Sequence, residues 1–167
     1  MSLTANPDKF IAILQQHKGI IYKIANAYCS NQDDIKDLVQ EITFQLWRSF
    51  DKYNDSFKYS TWIYRVALNT AISFYRKENR RKQQTTVLSD EIIGFADNNP
   101  AIAEEEKIGL LAKFIASLKA IDKALMLLYL EEKTYKEIAE ITGISQTNVA
   151  TKISRIKILL KQKLSNL

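Results

Sequence analysis

The side chains of this 167-residue chain that could do chemistry are cations, amides and aromatics spaced for helical faces. Between Thr61 and Arg80, Trp62, Arg65, Asn69, Ser73, Arg76 and Arg80 recur on one side of a helix, and Arg81 and Lys82 extend the basic run. A guanidinium pairs with phosphate, an indole stacks on an unpaired base, and an amide hydrogen-bonds a base edge. The three on one stripe favour a nucleic-acid surface over the plainer alternative, a solvated face with a half-buried Trp. A second group precedes it. On a helix over 33–50, Ile35, Leu38, Val39, Ile42, Leu46 and Phe50 form the apolar stripe, so Asp37, Gln40, Glu41, Phe44 and Arg48 fall opposite. An aromatic ringed by polar groups suits a docking surface for a partner. Packing of Phe44 on another helix of the same chain is the equal alternative. A third group, Thr147, Ala150, Thr151, Ser154 and Arg155, lies opposite an inner stripe of Val149, Ile153, Ile156 and Leu160. Here Arg155 with Lys152 and Lys157 can hold phosphates, while Thr151 and Ser154 can reach base edges.

The elements that must position these groups are helices. Asn6-Pro7 is a cap followed by proline at the first helical position. Phe10, Ile13 and Leu14 follow at helical spacing, Gly19 marks a bend or break, and Ile20, Ile21, Ile24, Ala27 and Tyr28 resume the pattern. Ser30-Asn31 ends this pair and caps the helix over 33–50. Ser60 caps the helix over 61–80, whose core stripe is Ile63, Ala67, Ala71 and Phe74 with Tyr64 and Val66 at its edges. The expectation is a four-helix unit over 5–82.

Residues 83–100 lose the periodicity, are polar, carry Gly94 and Asn98-Asn99-Pro100, and read as a flexible linker. They bring acidic side chains between two basic modules. Val87, Ile92, Ile93 and Phe95 are candidates to pack on one of them. The second module, 101–167, starts with a helix built on Ile108, Leu111, Ile115 and Leu118, then one on Ile121, Leu125, Leu128 and Tyr129. Thr134 with Glu137 forms a capping box, Gly143 permits a positive-φ turn, and Ser145 caps the last helix. The spacing Ala139, Gly143, Val149 is that of a helix-turn-helix, with an ordinary helical hairpin as the lesser alternative.

Composition agrees. With 46% hydrophobic residues but only 4 Gly and 2 Pro, the chain predicts an all-α protein of two helical domains. The net charge of +5 favours a polyanionic partner. Single His17 and single Cys29 leave no basis for a metal cluster, a histidine-based triad or a disulfide, so no enzyme, catalytic residue, metal or cofactor is expected. No apolar run approaches the roughly 20 residues of a membrane span, and the N-terminus lacks the basic start and apolar block of a signal peptide. A cytoplasmic protein with no direct membrane insertion is therefore expected.

Several strings now carry a resemblance. Asp37-Leu38-Val39-Gln40-Glu41, Leu46-Trp47, Tyr59 to Trp62, and Arg65-Val66-Ala67-Leu68-Asn69-Thr70-Ala71 resemble the core-binding and promoter-melting region of bacterial sigma factors. The short chain is similar to the extracytoplasmic-function (ECF) group. The C-terminal module is similar to the sigma domain that reads the minus-thirty-five element. The resemblance implies that Asp37, Gln40, Glu41 and Phe44 dock on core RNA polymerase. It implies that Tyr59, Trp62, Arg65, Asn69, Arg76 and Arg80 meet the downstream, minus-ten element. It implies that Thr147, Ala150, Thr151, Ser154 and Arg155 meet the upstream element, and that the acidic linker passes near the RNA path. A membrane-linked anti-sigma factor is a further implied partner. Two positions depart from the family: Thr43 precedes Phe44 where an aromatic is frequent, and Ala150 stands where a basic residue is frequent. A helix-turn-helix regulator acting without polymerase is the alternative function, and an adaptor that does not touch DNA is a third.

Overall fold

The computed structural model describes residues 6–85 and 104–165, and every element among them is helical. The N-terminal part holds α1 (Pro7–Tyr28), α2 (Gln32–Ser49), a short 3-10 turn (Phe50–Lys52) and α3 (Tyr59–Thr85). The C-terminal part holds α4 (Glu104–Ser117), α5 (Ala120–Leu130), α6 (Tyr135–Thr142) and α7 (Gln146–Ser165). Because α3 runs to Thr85, the first residues of the expected linker are helical. The rest of that linker, with Val87, Ile92, Ile93 and Phe95, lies outside the described residues.

Helix starts follow from capping chemistry. Asn6 Oδ1 accepts from the backbone N–H of Asp8 at 3.1 Å and of Lys9 at 3.3 Å. Asn31 caps α2 by accepting from Asp34 N–H at 2.8 Å. Each bond satisfies a donor that the first helical turn leaves unpaired. The break expected at Gly19 does not occur. α1 is continuous through it, so the N-terminal part has three α-helices instead of four. One glycine in a helix interior costs only about 1 kcal/mol relative to Ala, less than the flanking apolar residues gain by staying in register.

The predicted stripe of α2 is the core: Ile35, Leu38, Ile42, Leu46 and Phe50 are buried, with Val39 at its edge. Ile21 and Ile24 of α1 and Ile63, Ala67 and Ala71 of α3 meet it. The two fully buried alanines leave α3 no bulk on that face, so helix backbones can approach closely. In the C-terminal part, Phe114 is buried and Ile108 is 67% exposed, which reverses the assignment of Ile108 to the core of α4. Ile108 lies outside the small cluster of Phe114, Leu118, Met126 and Ile156, which starts nearly two helical turns further along α4.

The helix-turn-helix takes the expected form. Thr134 Oγ1 accepts from Glu137 N–H at 3.1 Å, while the Glu137 carboxylate accepts from the Thr134 hydroxyl at 3.1 Å instead of reaching back to the backbone. Gly143, at φ 78, ends α6 in the left-handed conformation, and its N–H donates to Ala139 O at 2.9 Å. Ser145 Oγ accepts from Asn148 N–H at 3.2 Å to start α7. Ile138, Val149 and Ile153 are fully buried between the two helices and α5.

The two parts also pack on each other. α3 contacts both α5 and α6, and one apolar cluster runs from Phe10 in α1 to Ile153 in α7. Tyr64 and Leu68, one turn apart on α3, are buried on the flank that adjoins Ala67 and Ala71. Lys133, just after α5, places its ammonium 5.4 Å from the Tyr64 ring. The Tyr28 hydroxyl donates to Ala120 O at 2.7 Å, joining α1 to the start of α5.

A Cβ at Gly19 would meet no atom within 4 Å. Gly19→Ala should therefore raise stability by about 0.5–1 kcal/mol, seen as a rise of roughly 2–4 °C in the thermal midpoint for a chain of this size. A lower midpoint would show that α1 is not a continuous helix in solution.

Candidate nucleic-acid and partner interfaces

Asp37, Gln40, Glu41 and Phe44 are all exposed and form one ridge along α2, flanked by two different grooves. On the α1 side, Gln40 and Phe44 join Pro7, Phe10, Ile11 and Trp47 around an apolar groove of about 450 Å³. Phe44 is 55% exposed, with Ile11 at 49% and Trp47 at 40%, so Phe44 does not serve the core of its own chain. Such a contiguous exposed apolar patch with a polar rim marks an interaction surface. Trp47 is held by edge contact with the buried Phe10 ring, centroids 5.1 Å apart. On the other side, Asp37, Glu41 and Gln45 face Asn69, Ser73 and Lys77 of α3 across a polar groove. Gln45 Nε2 donates to Glu41 Oε1 at 2.9 Å and fixes that carboxylate on the ridge. The sequence reading did not single out Ile11 and Trp47 as surface residues. The spacing of Trp47 from Phe44, three residues on and off the core stripe, was the available signal.

The six downstream candidates fall into three places. Tyr59, Trp62 and Arg65 gather at the start of α3. Tyr59 stacks on Tyr53 at 4.4 Å, Trp62 lies 5.4 Å from Tyr53 and 6.1 Å from Phe50, and Arg65 lies over Phe57 at 5.4 Å. The Tyr53 hydroxyl donates to Phe57 O and closes the intervening loop on itself. Burial first, then the neighbouring Tyr59 and Asp55, raises the Tyr53 phenol above its ordinary pKa, so it stays a donor. The result is a small pocket of about 110 Å³ with Tyr53, Phe57 and Trp62 as walls and Lys52, Asn54 and Arg65 around them. Lys52, Tyr53, Asn54 and Phe57 escaped the sequence reading because the turn has no periodicity. Its dense aromatic, amide and lysine content, YNDSFKY, was the signal.

Asn69 is exposed and faces the polar groove shared with Asp37 and Glu41. Arg76 and Arg80 are exposed on a different flank, lining a cleft with Asn79 and Lys119 between α3 and the start of α5. A helical stripe that looks single in projection is thus divided by what packs beside each turn. Trp62 is half-buried: it is both a wall of the pocket and a support for Phe50.

On α7, Thr147, Thr151, Ser154 and Arg155 are exposed and Ala150 is half-buried. Thr151 Oγ1 donates to Thr147 O at 3.0 Å, which leaves its acceptor sites facing solvent. The Lys157 ammonium sits 4.2 Å from the Tyr129 ring, and a hydrogen bond to Tyr129 raises its pKa. It is therefore a firmly charged group anchored to α5 beside the recognition face.

Residues 13–81 match the family model of sigma-70 region 2, and residues 108–160 match that of sigma-70 region 4. Among curated proteins, the chain is similar to RNA polymerase sigma factor SigV of Bacillus subtilis, 29% identical over 93% of this chain and 90% of the relative. It is also similar to ECF RNA polymerase sigma factor SigW of the same organism, 29% identical over 96% and 91%. The ECF RNA polymerase sigma-E factor of Escherichia coli is 26% identical over 94% and 86%. Among solved structures, CnrH in complex with the cytosolic domain of CnrY superposes with a TM-score of 0.68 at 18% identity, covering 98% of this chain and 92% of that one. The sigma factor RpoE in complex with the anti-sigma factor NepR from Bartonella quintana gives 0.67 at 19% identity, over 95% and 96%. No helix among the described residues is long and apolar enough to cross a membrane.

The unequal burial of the α3 candidates yields a stability test. Trp62→Ala should destabilise by about 2 kcal/mol, below the range for a fully buried Trp because the ring is half exposed. Asn69→Ala should stay within about 0.5 kcal/mol of the parent. Urea unfolding followed by circular dichroism measures both, and equal losses would contradict the placement of the two side chains.

Proposed function

The chain belongs to the ECF group of the sigma-70 family, and on that premise we propose a division of labour among its exposed faces. A sigma factor of this group binds core RNA polymerase and recognises promoters for transcription initiation. The ridge Asp37, Gln40, Glu41 and Phe44, widened by Ile11 and Trp47, is the polymerase-docking face. The aromatic pocket at the start of α3 receives an unpaired base of the downstream element. Tyr53, Phe57 and Trp62 stack on the base, Asn54 reads its edge, and Lys52 and Arg65 hold the adjoining phosphates. Asn69 contacts a second base of the opened strand, and Tyr59 keeps the loop in place. Arg76 and Arg80 hold the backbone further along. Thr147, Thr151 and Ser154 read the upstream element, with Ala150 packed against it and Arg155 on phosphate.

The observation that carries this reading is the aromatic pocket. Taking a base out of the stack costs a few kcal/mol, and stacking on an aromatic side chain returns about 1–3 kcal/mol per base. A pocket walled by three rings is thus a means of promoting strand opening once polymerase has placed the chain. A helix-turn-helix regulator would have no use for it. The family further suggests a cytoplasmic location and an anti-sigma partner, as the Bartonella relative has.

Run-off transcription with core polymerase, with and without the chain, is the direct test. Phe44→Asp should weaken core binding and leave helicity unchanged; unchanged affinity would remove the ridge from the docking face. Trp62→Ala should transcribe poorly from a duplex promoter and recover on a pre-melted template; no recovery would limit Trp62 to a structural role. On a promoter library, Asn69→Ala should relax selectivity at the downstream element alone and Thr151→Ala at the upstream element alone, each by about 1–3 kcal/mol per lost base contact. Arg155→Ala should weaken binding alike across sequences and lower the salt slope by about one unit. Overlapping selectivity changes for Asn69→Ala and Thr151→Ala would contradict the assignment of separate elements.

A further inference from the structure

The outward stripe of α7, Thr147, Thr151 and Ser154, has a cation on each side of it. At 100° per residue, Arg155 falls about 100° to one side of Ser154 and Lys157 about 60° to the other. Both are exposed, but their settings differ. Lys157 borders the buried side of α7, one turn past Ile153, and its ammonium lies 4.2 Å from the Tyr129 ring of α5. Tyr129 is half-buried and packed against the core. Its backbone is fixed by the turn that closes α5. The Tyr129 carbonyl accepts from Glu132 N–H at 3.0 Å, and Lys133 N–H donates to Leu128 O at 3.1 Å. Glu132 takes the left-handed conformation, at φ 60, to make that turn. The ring is therefore a fixed platform for the ammonium. An ammonium carries three donors, so the side turned away from the ring keeps donors for a second partner.

We propose that Tyr129 is a positioning residue for the upstream element: its ring pre-places the Lys157 ammonium to receive one phosphate on the α5 side of the groove, opposite the phosphate held by Arg155. This deepens the assignment of α7 to the upstream element and rests on that reading; the contact between Lys157 and Tyr129 does not. A major groove is about 12 Å wide and walled on both sides by phosphates, so a helix reading base edges between them is held best by a cation on each flank. A lysine side chain is long and flexible, and ordering it at an interface costs affinity. A ring that holds it beforehand removes much of that cost. The ring does not use up the charge, because at an exposed site a cation–π contact is weak beside an ammonium–phosphate bond. Tyr129 itself reads no base and touches no phosphate, so its effect passes through Lys157 alone.

Holoenzyme formed from core polymerase and the full chain, titrated with promoter duplex at several salt concentrations, tests the proposal. Lys157→Ala should weaken binding and lower the salt slope by about one unit. Tyr129→Leu should weaken binding about 2- to 10-fold and leave the salt slope and the base preference at the upstream element as in the parent, because the charge is present but no longer pre-placed. A purely structural role for Tyr129 would instead loosen the recognition helix and relax that preference. Tyr129→Leu should add nothing to Lys157→Ala and should multiply with Arg155→Ala. Tyr129→Phe, which keeps the ring, should lose less than Tyr129→Leu. A Tyr129→Leu chain that binds like the parent, that relaxes base preference, or that weakens Lys157→Ala by its full factor would overturn the proposal. Should Tyr129→Leu lose helicity by circular dichroism, proton NMR of the parent chain decides. Protons held over an aromatic face resonate upfield, so the Lys157 ε-methylene signal, identified by its loss in Lys157→Ala, should be shifted upfield. An ordinary position would overturn the proposal. The spectrum needs neither polymerase nor DNA. Failure of the parent holoenzyme to bind promoter DNA would therefore overturn the sigma-factor reading, and the phosphate role with it, while leaving the Tyr129–Lys157 contact standing.

Discussion

The constraint on which the whole molecule depends is that α3 is packed from two directions at once. Ala67 and Ala71 are fully buried where α1 and α2 press close, while Tyr64 and Leu68, on the adjoining flank of the same broad face, are buried toward α5 and α6. Large residues on the first side would hold α1 and α2 away. Polar residues on the second would leave the helix-turn-helix without an apolar seat. What remains exposed is a strip carrying Arg65, Asn69, Arg76 and Arg80. These exposed side chains are therefore held by a helix that cannot rotate, because turning it would move buried groups into water.

That double packing also explains the division of the exposed strip. The start of α3 is closed by the Tyr53–Phe57 loop, its middle looks across at the carboxylates of α2, and its far end borders α5. An aromatic pocket, a polar groove and a cleft lined by Arg76 and Arg80 follow one another along a single helix. The chemistry differs at each station because the neighbouring element differs. Carboxylates of Asp37 and Glu41 discourage a DNA backbone from the polar groove by like-charge repulsion. The cluster of Arg76, Arg80 and Lys119 attracts one.

Lys123 shows how the seam between the parts differs from the cores on either side. Within each part, buried contacts are apolar and the backbone is paired within helices. At the seam the chain buries a cation, and the buried site pulls its pKa down while Tyr75 and Cys29 act in the opposite sense. Burial, and then Tyr75, pushes the Tyr28 phenol well above its ordinary value, so Tyr28 remains a donor to Ala120 across the physiological range. These directional contacts specify one docking geometry within a seat that is otherwise apolar.

The sequence alone determined the helices, the apolar stripe of α2, the caps at Asn6, Asn31 and Ser145, and the turn at Gly143. Each depends on a local rule: period, capping geometry, or the freedom of glycine at positive φ. It also determined that Asp37, Gln40 and Glu41 of α2 and Thr147, Thr151, Ser154 and Arg155 of α7 face outward, since one stripe defines the opposite face of the same helix. Only the tertiary structure decided the rest. Gly19 stayed helical because its cost is small beside the register of the residues around it. Phe114 displaced Ile108 from the core because Met126 of α5 and Ile156 of α7 cover α4 there. Phe44 was left exposed because no neighbouring helix extends over it. Tyr53 and Phe57 became pocket walls through a loop that has no period to read. Lys123, on a largely apolar helix, found its partners 96 and fewer residues away in sequence, in rings and a carbonyl of α1 and α3. Spacing along one chain segment encodes what faces inward or outward from that segment, whereas the identity of what lies across the gap depends on contacts that no local pattern contains.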